Sequence, residues 1–184
     1  MAESFSNKLT RAAGSITTKT GSTVAAGSTV ITNASVTGIG DSNLIVNSNY
    51  IAGTKVHSVT AVSGGIGTVY ADRASTNTAS ATNQTVNFLG VTTAFTASAT
   101  EKSILIGGTF ANNTDNQVAL TVELYDASTS VGVALASEIP VPAGSSFVIS
   151  DTGKTILEPT DELRVYCNAA NGIDATLSIL TGVS

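Results

Sequence analysis

Strict alternation between apolar and polar residues is the feature that most limits how this chain can fold. The segment QVALTVELYD places Val118, Leu120, Val122 and Leu124 on one side. Successive side chains of a β-strand point to opposite faces, so the pattern predicts strands with one buried and one solvated face. Five or more such strands in residues 98–184 predict an antiparallel β-sandwich. The other inward positions expected there are Leu163, Val165, Cys167, Ile104, Ile106, Phe110, Leu177 and Ile179.

Residues 15–97 consist of short strand-like segments separated by turns with glycine, such as TGIGD and YIAG. Glycine adopts positive φ without steric cost and is therefore common in tight turns. Strand segments at this spacing predict a small barrel or sandwich. The run RASTNTASATN, residues 73–83, has almost nothing to bury and is expected to be an exposed loop or hairpin tip. The small polar residues and the change of charge at residues 96–103 indicate a domain boundary after residue 97.

The first fourteen residues show a different pattern. Phe5 and Leu9 are four residues apart, which is typical of one face of an amphipathic helix, and Gly14 would end that helix. A helix this short is marginal alone, so we expect residues 1–14 to dock on a neighbouring protein. Phe5, Leu9 and Arg11 are the candidate assembly anchor. The alternative is a frayed terminus whose Phe5 packs on its own domain. The predicted fold class is thus all-β, with two small antiparallel β modules and a short N-terminal helix.

All three prolines of the chain, Pro140, Pro142 and Pro159, lie within the segment Ile139–Tyr166. Proline lacks the N–H that a central strand must donate, so it is confined to edge strands and corners. The prolines therefore mark edges, where they also prevent stray pairing with other chains.

The composition favours strands and indicates a surface covered by partners. Charged residues make up 11% of the chain, against roughly 25% in an ordinary soluble domain, so we expect assembly with other proteins or with other copies. The net charge is −5, with +2 in residues 1–97 and −7 in residues 98–184. Neither half offers the basic face that nucleic acid requires. No stretch has the length of a membrane span, and the first residues do not resemble a signal peptide.

The residue types that carry catalysis are scarce. His57 is the only histidine, which excludes a site with several histidine ligands, and no GxSxG motif accompanies it. Cys167 occupies an inward position, where a buried and unreactive thiol is expected. The loop ANNTDNQ and the acidic run EPTDE could offer oxygen ligands to calcium, but they lack the EF-hand spacing. We therefore expect no catalytic, cofactor-binding or metal-binding residues and no enzymatic activity.

Four segments of the second half carry a family resemblance: Val122–Asp126 (VELYD), Ile139–Ser146 (IPVPAGSS), Gly153–Val165 and Asp174–Leu180. In this order they resemble β-sandwich structural proteins of tailed bacteriophages, especially marine and cyanobacterial phages. The opening SFSNKLTRAAG is similar to the short helical N-terminus of such proteins. The middle segment VTGIGDSNLIVNSNYIAGTKVHSV is similar to a small β-module of phage tail and capsid accessory proteins.

The resemblance implies a non-enzymatic structural component of a virion. We expect an accessory or decoration protein on the outside of the capsid, or a neck, collar or tail component. Its partners would be its own copies, with a trimer favoured, and the major capsid or neck and tail proteins. A second class of function is a carbohydrate- or cell-surface-binding module, for which only Tyr50, Tyr70, Tyr125 and Tyr166 could form the aromatic platform. A hydrolase is a third class, which the lack of a recognisable pair of carboxylates disfavours.

Overall fold

The computed structural model describes residues 3–61 and 65–183, and for residues 33, 34 and 151–153 it describes the backbone alone. The protein is all-β, as predicted, and all strand pairs found among the described residues are antiparallel. The strands are β1 (Ser4–Ala13), β2 (Ser15–Val24), β3 (Val30–Ser35), β4 (Leu44–Val46), β5 (Val56–Ala61), β6 (Ile66–Ala71), β7 (Ala81–Gly90), β8 (Thr92–Thr96), β9 (Lys102–Asn112), β10 (Val118–Asp126), β11 (Val131–Val141), β12 (Ser146–Leu157), β13 (Glu162–Cys167) and β14 (Ile173–Val183).

The chain forms two compact units, and one of them is discontinuous in sequence. The first unit combines Met1–Gly14 with Thr92–Ser184, and the second is Ser15–Val91. The change of unit falls at residues 91 and 92, six residues before the expected boundary, because β8 pairs with β13 of the first unit. Gly14, with φ +115°, ends β1, and a Cβ there would lie only 2.9 Å from Cβ of Cys167. A side chain at this position would therefore clash as well as strain the backbone.

The predicted N-terminal helix is wrong, because residues 4–13 form strand β1. This strand pairs with β14, from Ser4 opposite Thr181 to Ala13 opposite Ile173. A spacing of four residues is even, so it places Phe5 and Leu9 on one face of a strand as well as on one face of a helix. The spacing alone could not distinguish the two, and pairing with a strand distant in sequence decided the outcome.

The first unit is a sandwich of two four-stranded sheets. One sheet has the order β1-β14-β9-β12 and the other the order β11-β10-β13-β8. Between them lies a core that includes Phe110, Leu120, Leu163 and Leu177, all fully buried. Burying a side chain of this size contributes about 1.5–3 kcal/mol. The prediction that Val118, Leu120, Val122, Leu163, Val165, Cys167, Leu177 and Ile179 face inward is confirmed.

Strand β9 departs from the predicted alternation. Its pairing with β14 shifts register between Gly107 and Leu105, which leaves Ile106 as an extra residue in a bulge. The extra residue of a bulge shifts the alternation by one, so inward-facing positions are odd-numbered before it and even-numbered after it. Leu105 and Phe110 are therefore both buried, whereas Ile104 is half-buried and Ile106 is exposed. The expectation that Ile104, Ile106 and Phe110 share the inward face is wrong for the first two.

The second unit is one six-stranded sheet with the order β4-β7-β2-β3-β6-β5. Its two edges meet, because Ile45 N donates to Thr54 O at 2.8 Å and Val56 N donates to Asn43 O at 2.9 Å. These bonds join β4 to the start of β5 and close the sheet into a small barrel. The barrel core contains Val24, Ile31, Tyr50, Val69, Val86 and Phe88.

The segment predicted to be an exposed loop, residues 73–83, is more strongly anchored than its composition indicated. Ser75 is buried, and its Oγ donates to Ala25 O at 2.6 Å and accepts from Ser28 N at 3.2 Å. Thr76 N donates to Asn49 O, and β7 already begins at Ala81. Small polar side chains hold this loop to the barrel by hydrogen bonds instead of by apolar packing.

Candidate functional site

The three residues of the candidate anchor lie on β1, at the edge of the sheet β1-β14-β9-β12. Phe5 and Leu9 are 71% and 75% exposed, and Arg11 is exposed as well. Their positions in the alternation of β1 place all three side chains on the face turned away from the sandwich core. The alternative that Phe5 packs on its own domain is therefore not what the structure shows.

Partners from the three neighbouring strands extend Phe5 into an apolar row across the whole sheet. The strand registers place Phe5 opposite Leu180, Leu180 opposite Ile104, and Ile104 opposite Ile156. Ile156 is 54% exposed at the far edge. Sequence reasoning missed Leu180 and Ile156, although the alternation through ATLSIL already placed Leu180 opposite in parity to the core residues Leu177 and Ile179.

Two further rows complete this outer face. Leu9, Thr176, Thr109 and Val148 form a second row, with Val148 52% exposed. Between the two rows lie Asn7, Ser178, Gly107 and Ser150. The three rows contain no charged residue, and we call them together the outer sheet face. Large exposed apolar side chains grouped on one face, here in two rows separated by a polar row, are typical of a site where another molecule binds.

Charged side chains border the outer sheet face at both ends. The exposed ion pair Lys102–Glu158 lies beyond the row of Phe5, and the exposed Lys154 lies in the register shift of β12. At the other end, Arg11 and Asp174 lie beyond the row of Leu9. Asp174 Oδ1 accepts a hydrogen bond at 2.8 Å from the backbone nitrogen of Ala12, the residue that follows Arg11. Two shallow concavities lie along the β1–β14 pair. One, of about 410 Å³, is lined by Phe5, Asn7 and Ile106, and the other, of about 270 Å³, is lined by Leu9, Arg11 and Asp174. The surface therefore has relief into which side chains of a partner can fit.

The opposite sheet carries buried polar groups on its outer side. Glu123 is 2% exposed and Tyr166 is fully buried, although the alternation predicted a solvated face for β10 and β13. Tyr166 Oη donates to Glu123 Oε1 at 3.4 Å. Burial, together with the negative charge of Glu123, raises the pKa of the Tyr166 hydroxyl. Tyr166 therefore stays protonated at ordinary pH and acts as a hydrogen-bond donor.

Arg164 extends this group of polar side chains. Its Nε donates to Glu162 Oε2 at 2.7 Å, and its guanidinium carbon lies 3.3 Å from the ring centroid of Tyr125. Burial acts to lower the pKa of Arg164, and the hydrogen bond and charge of Glu162 outweigh burial and raise it. A permanent cation stacked on an aromatic ring is a structural contact, and it offers no group that exchanges protons near neutral pH.

The oxygen-rich loops considered for calcium use their side chains internally. Asn112 Oδ1 accepts from Thr114 N and Thr114 Oγ1, both at 2.8 Å, and its Nδ2 donates to Val141 O at 2.9 Å. In the run EPTDE, Glu158 pairs with Lys102, and Asp161 accepts from Ala127 N and Glu158 N. Among residues 3–61 and 65–183 no group of three or more His, Cys, Asp or Glu side chains is arranged to hold a metal ion.

His57 and Cys167, the two residues considered for catalysis, lie in different units. Cys167 is buried, and burial raises the pKa of its thiol, which disfavours the reactive thiolate. His57 is the extra residue in a register shift of β5 and lines an open concavity of about 440 Å³ in the barrel. Tyr70 and Asp72 line the same concavity.

The four tyrosines do not form one aromatic platform. Tyr50 is 7% exposed and Tyr166 is fully buried, so neither can stack on a sugar ring. Tyr125 is stacked under Arg164. Tyr70 is thus the tyrosine that remains partly open to a ligand, at the concavity with His57 and Asp72.

No protein-family model, no curated protein and no solved structure matches the chain. In the described part of the chain, no helix has the length and apolar character needed to cross a membrane.

Proposed function

We propose that this protein is a non-enzymatic structural component of a tailed bacteriophage virion, an accessory or decoration protein on the exterior of the capsid. The observation that carries the proposal is the uncharged outer sheet face, on which the anchor residues Phe5 and Leu9 are more than two-thirds exposed. The resemblance of the second half to phage structural proteins is the reason for proposing a phage virion as the particle. A neck, collar or tail position is the alternative location for the same attachment.

The outer sheet face is suited to attachment because its three rows carry no charge, so a partner can cover them without the large cost of desolvating a charged group. Burial of each large side chain on a partner would contribute in proportion to the apolar area removed from water. Arg11 and Asp174, at the end of β1, give the surface a polar rim, as in typical interfaces. The anchor is therefore a row of side chains on a strand that is already paired with β14.

The first experiment is to count copies of this protein in purified particles of the phage that encodes it, by quantitative mass spectrometry. A copy number comparable to that of the major capsid protein supports decoration of the head. About a dozen copies or fewer would indicate a ring at the neck or tail. Its absence from washed particles would overturn the virion proposal.

Attachment through the outer sheet face is tested with the double variant Phe5→Ser, Leu9→Ser. Particles lacking the protein are mixed with purified wild type or variant, and bound protein is quantified after sedimentation. Wild type should bind, and the variant should lose most of its binding. Ile51→Ser, Ile66→Ser is the matched control, because these barrel residues are 51% and 53% exposed. Equal binding by the anchor variant and the wild type would exclude this face.

A second candidate function, carbohydrate binding, is favoured by the concavity lined by Tyr70, His57, Asp72, Thr29 and Ser58. An aromatic ring beside several hydrogen-bonding groups is an arrangement that can hold a sugar. A glycan array with wild type and Tyr70→Ala tests it. Binding that Tyr70→Ala abolishes would support this function, and an array without signal would remove it.

A further inference from the structure

Strand β11 is an edge strand whose two halves differ in how they are protected. It pairs with β10 alone among the described strands. The second half contains Glu138 and Pro140, two of the residue types that natural edge strands use to prevent pairing with other chains. The first half, residues 131–137 (VGVALAS), has neither a charge nor a proline. Its pairing with β10 is regular from Val131 to Ala134, and a bulge at Leu135 ends the regular stretch. An uncharged edge of this kind is a template for a further strand.

Side chains on this half of β11 are exposed on the side where the core lies. Val133 is opposite Leu124, whose side chain packs against the sandwich core, and Val131 is opposite Asp126. Directly opposed residues point to the same face of a sheet. Val133 and Val131 therefore point to the core side, yet they are 62% and 53% exposed. The sandwich is open at this edge.

We propose that β11 pairs with β11 of a second copy of this chain, antiparallel and about a two-fold axis near Val133. The two four-stranded sheets would then form one continuous eight-stranded sheet across the dimer. A two-fold axis at Val133 brings Val133 opposite its own copy and Val131 opposite Leu135 of the other copy. The apolar side chains thereby cover each other.

A second copy fits this edge because the segment is complementary to itself under that symmetry. Each of positions 131–135 meets an apolar or glycine residue, and no charge on the segment selects an acidic or basic partner. In this register, position 138 faces position 128 of the other copy, so the two Glu138 side chains do not oppose each other. Pro140 cannot donate its backbone nitrogen, which limits the pairing to the first half of the strand.

The size of the contact sets its expected strength. Five paired residues in each copy span about 17 Å, and this single strand pair buries less than the ~800 Å² per partner of a standard interface. The dimer should therefore be reversible and depend on concentration. On a particle carrying many copies, weak pairing between neighbours would add to the attachment of each.

The test is sedimentation velocity of the full-length protein over a dilution series. Wild type should change from dimer to monomer on dilution, and Val133→Lys should raise the dissociation constant about tenfold or more, because like charges would lie directly opposite. Ile66→Lys is the matched control, since Ile66 is 53% exposed on a strand of the barrel. It should dimerise as the wild type does.

Cross-linking gives a second readout that does not depend on affinity. Cβ atoms of directly opposed residues lie about 4.5–5.5 Å apart, so Val133→Cys should form an intermolecular disulfide on mild oxidation and Ile66→Cys should not. The native Cys167 is buried and does not compete. A wild type that stays monomeric at all concentrations, a dimer that Val133→Lys leaves intact, or a trimer would overturn the proposal. Particle binding is measured separately, so this result is independent of the proposed function.

Discussion

The two sheets of the sandwich have outer faces of opposite character. The sheet containing β1 exposes Phe5, Leu9 and Ile156 on a face whose three rows carry no charge. The sheet containing β10 and β13 instead buries Glu123 and Tyr166 on its outer side. In an ordinary sandwich both outer faces are polar and solvated. Here one outer face exposes large apolar side chains, and the other buries a carboxylate and a tyrosine.

This difference separates residues that serve the fold from residues that are free to serve a partner. A buried carboxylate must keep its hydrogen bonds, so changes on the β10–β13 face should reduce stability. Exposed apolar side chains contribute little to the fold, so changes on the outer sheet face should leave stability intact and affect binding. Variants on the two faces therefore measure the two sides of this contrast.

The largest effect is expected for Glu123→Ala. The substitution removes the hydrogen bond between Tyr166 and a buried carboxylate, and we expect the free energy of unfolding to fall by about 2–3 kcal/mol. Urea unfolding followed by circular dichroism measures it. Glu3→Ala, at an exposed glutamate, is the control and should change stability by less than about 0.5 kcal/mol. Equal stability of the two variants would mean that Glu123 has no structural role.

Replacing tyrosine by phenylalanine should affect the free energy of unfolding differently at two buried positions. Tyr166→Phe removes the hydrogen bond to Glu123 and should cost about 1 kcal/mol. The buried hydroxyl of Tyr50 has no hydrogen-bond partner within the described residues, so Tyr50→Phe should be neutral or slightly stabilising. Both are measured by urea unfolding. A cost as large for Tyr50→Phe as for Tyr166→Phe would contradict the assignment of the hydroxyl partners.

Alkaline pH should reduce stability through the same tyrosines. Burial raises the pKa of Tyr50 to about 12 from its ordinary value of 10.0. The unfolded chain then ionises before the folded one, so the contribution is complete below pH 10 and is lost as pH rises toward 12. The raised pKa of Tyr166 acts in the same direction. Urea midpoints between these pH values should fall less steeply for Tyr50→Phe, and an unchanged slope would argue against a buried, protonated Tyr50.

The smallest change in stability is expected on the outer sheet face. Phe5→Thr and Leu9→Thr alter side chains that are 71% and 75% exposed, and threonine suits a strand. Each should change the free energy of unfolding by less than about 0.5 kcal/mol, as measured by thermal and urea unfolding. A loss as large as that of Glu123→Ala would show that these residues belong to the fold and would weaken their assignment as an anchor.

Much of the sandwich could be predicted from alternation, because burial between two sheets imposes a period of two on every strand. The same rule failed at Ile106, where one extra residue in a bulge reverses the alternation. The signal that could have shown it is the pair Gly107 and Gly108, because glycine inside a strand often marks a bulge. It failed again at Glu123 and Tyr166, because alternation shows which face a side chain points to and not whether that face is covered.

The candidate site was predictable only in part. Phe5, Leu9 and Arg11 could be selected from the sequence, but their spacing fits a helix and a strand equally. The rest of the apolar row depends on pairing between strands that are far apart in the chain, such as β1 and β14, which place Phe5 opposite Leu180. Strand register of this kind cannot be read from any single segment.

The pairing of β1 with β14 has a consequence for the order of folding. Thr181 Oγ1 donates to Ser4 O across 177 residues of sequence. The barrel, Ser15–Val91, is inserted between β1 and the rest of the sandwich, and it has a closed sheet and a core of its own. During synthesis the barrel can therefore fold early, while β1, which precedes it in the chain, acquires its partner only when β14 has been made. Until then the strand bearing Phe5 and Leu9 remains available to chaperones and to other nascent chains.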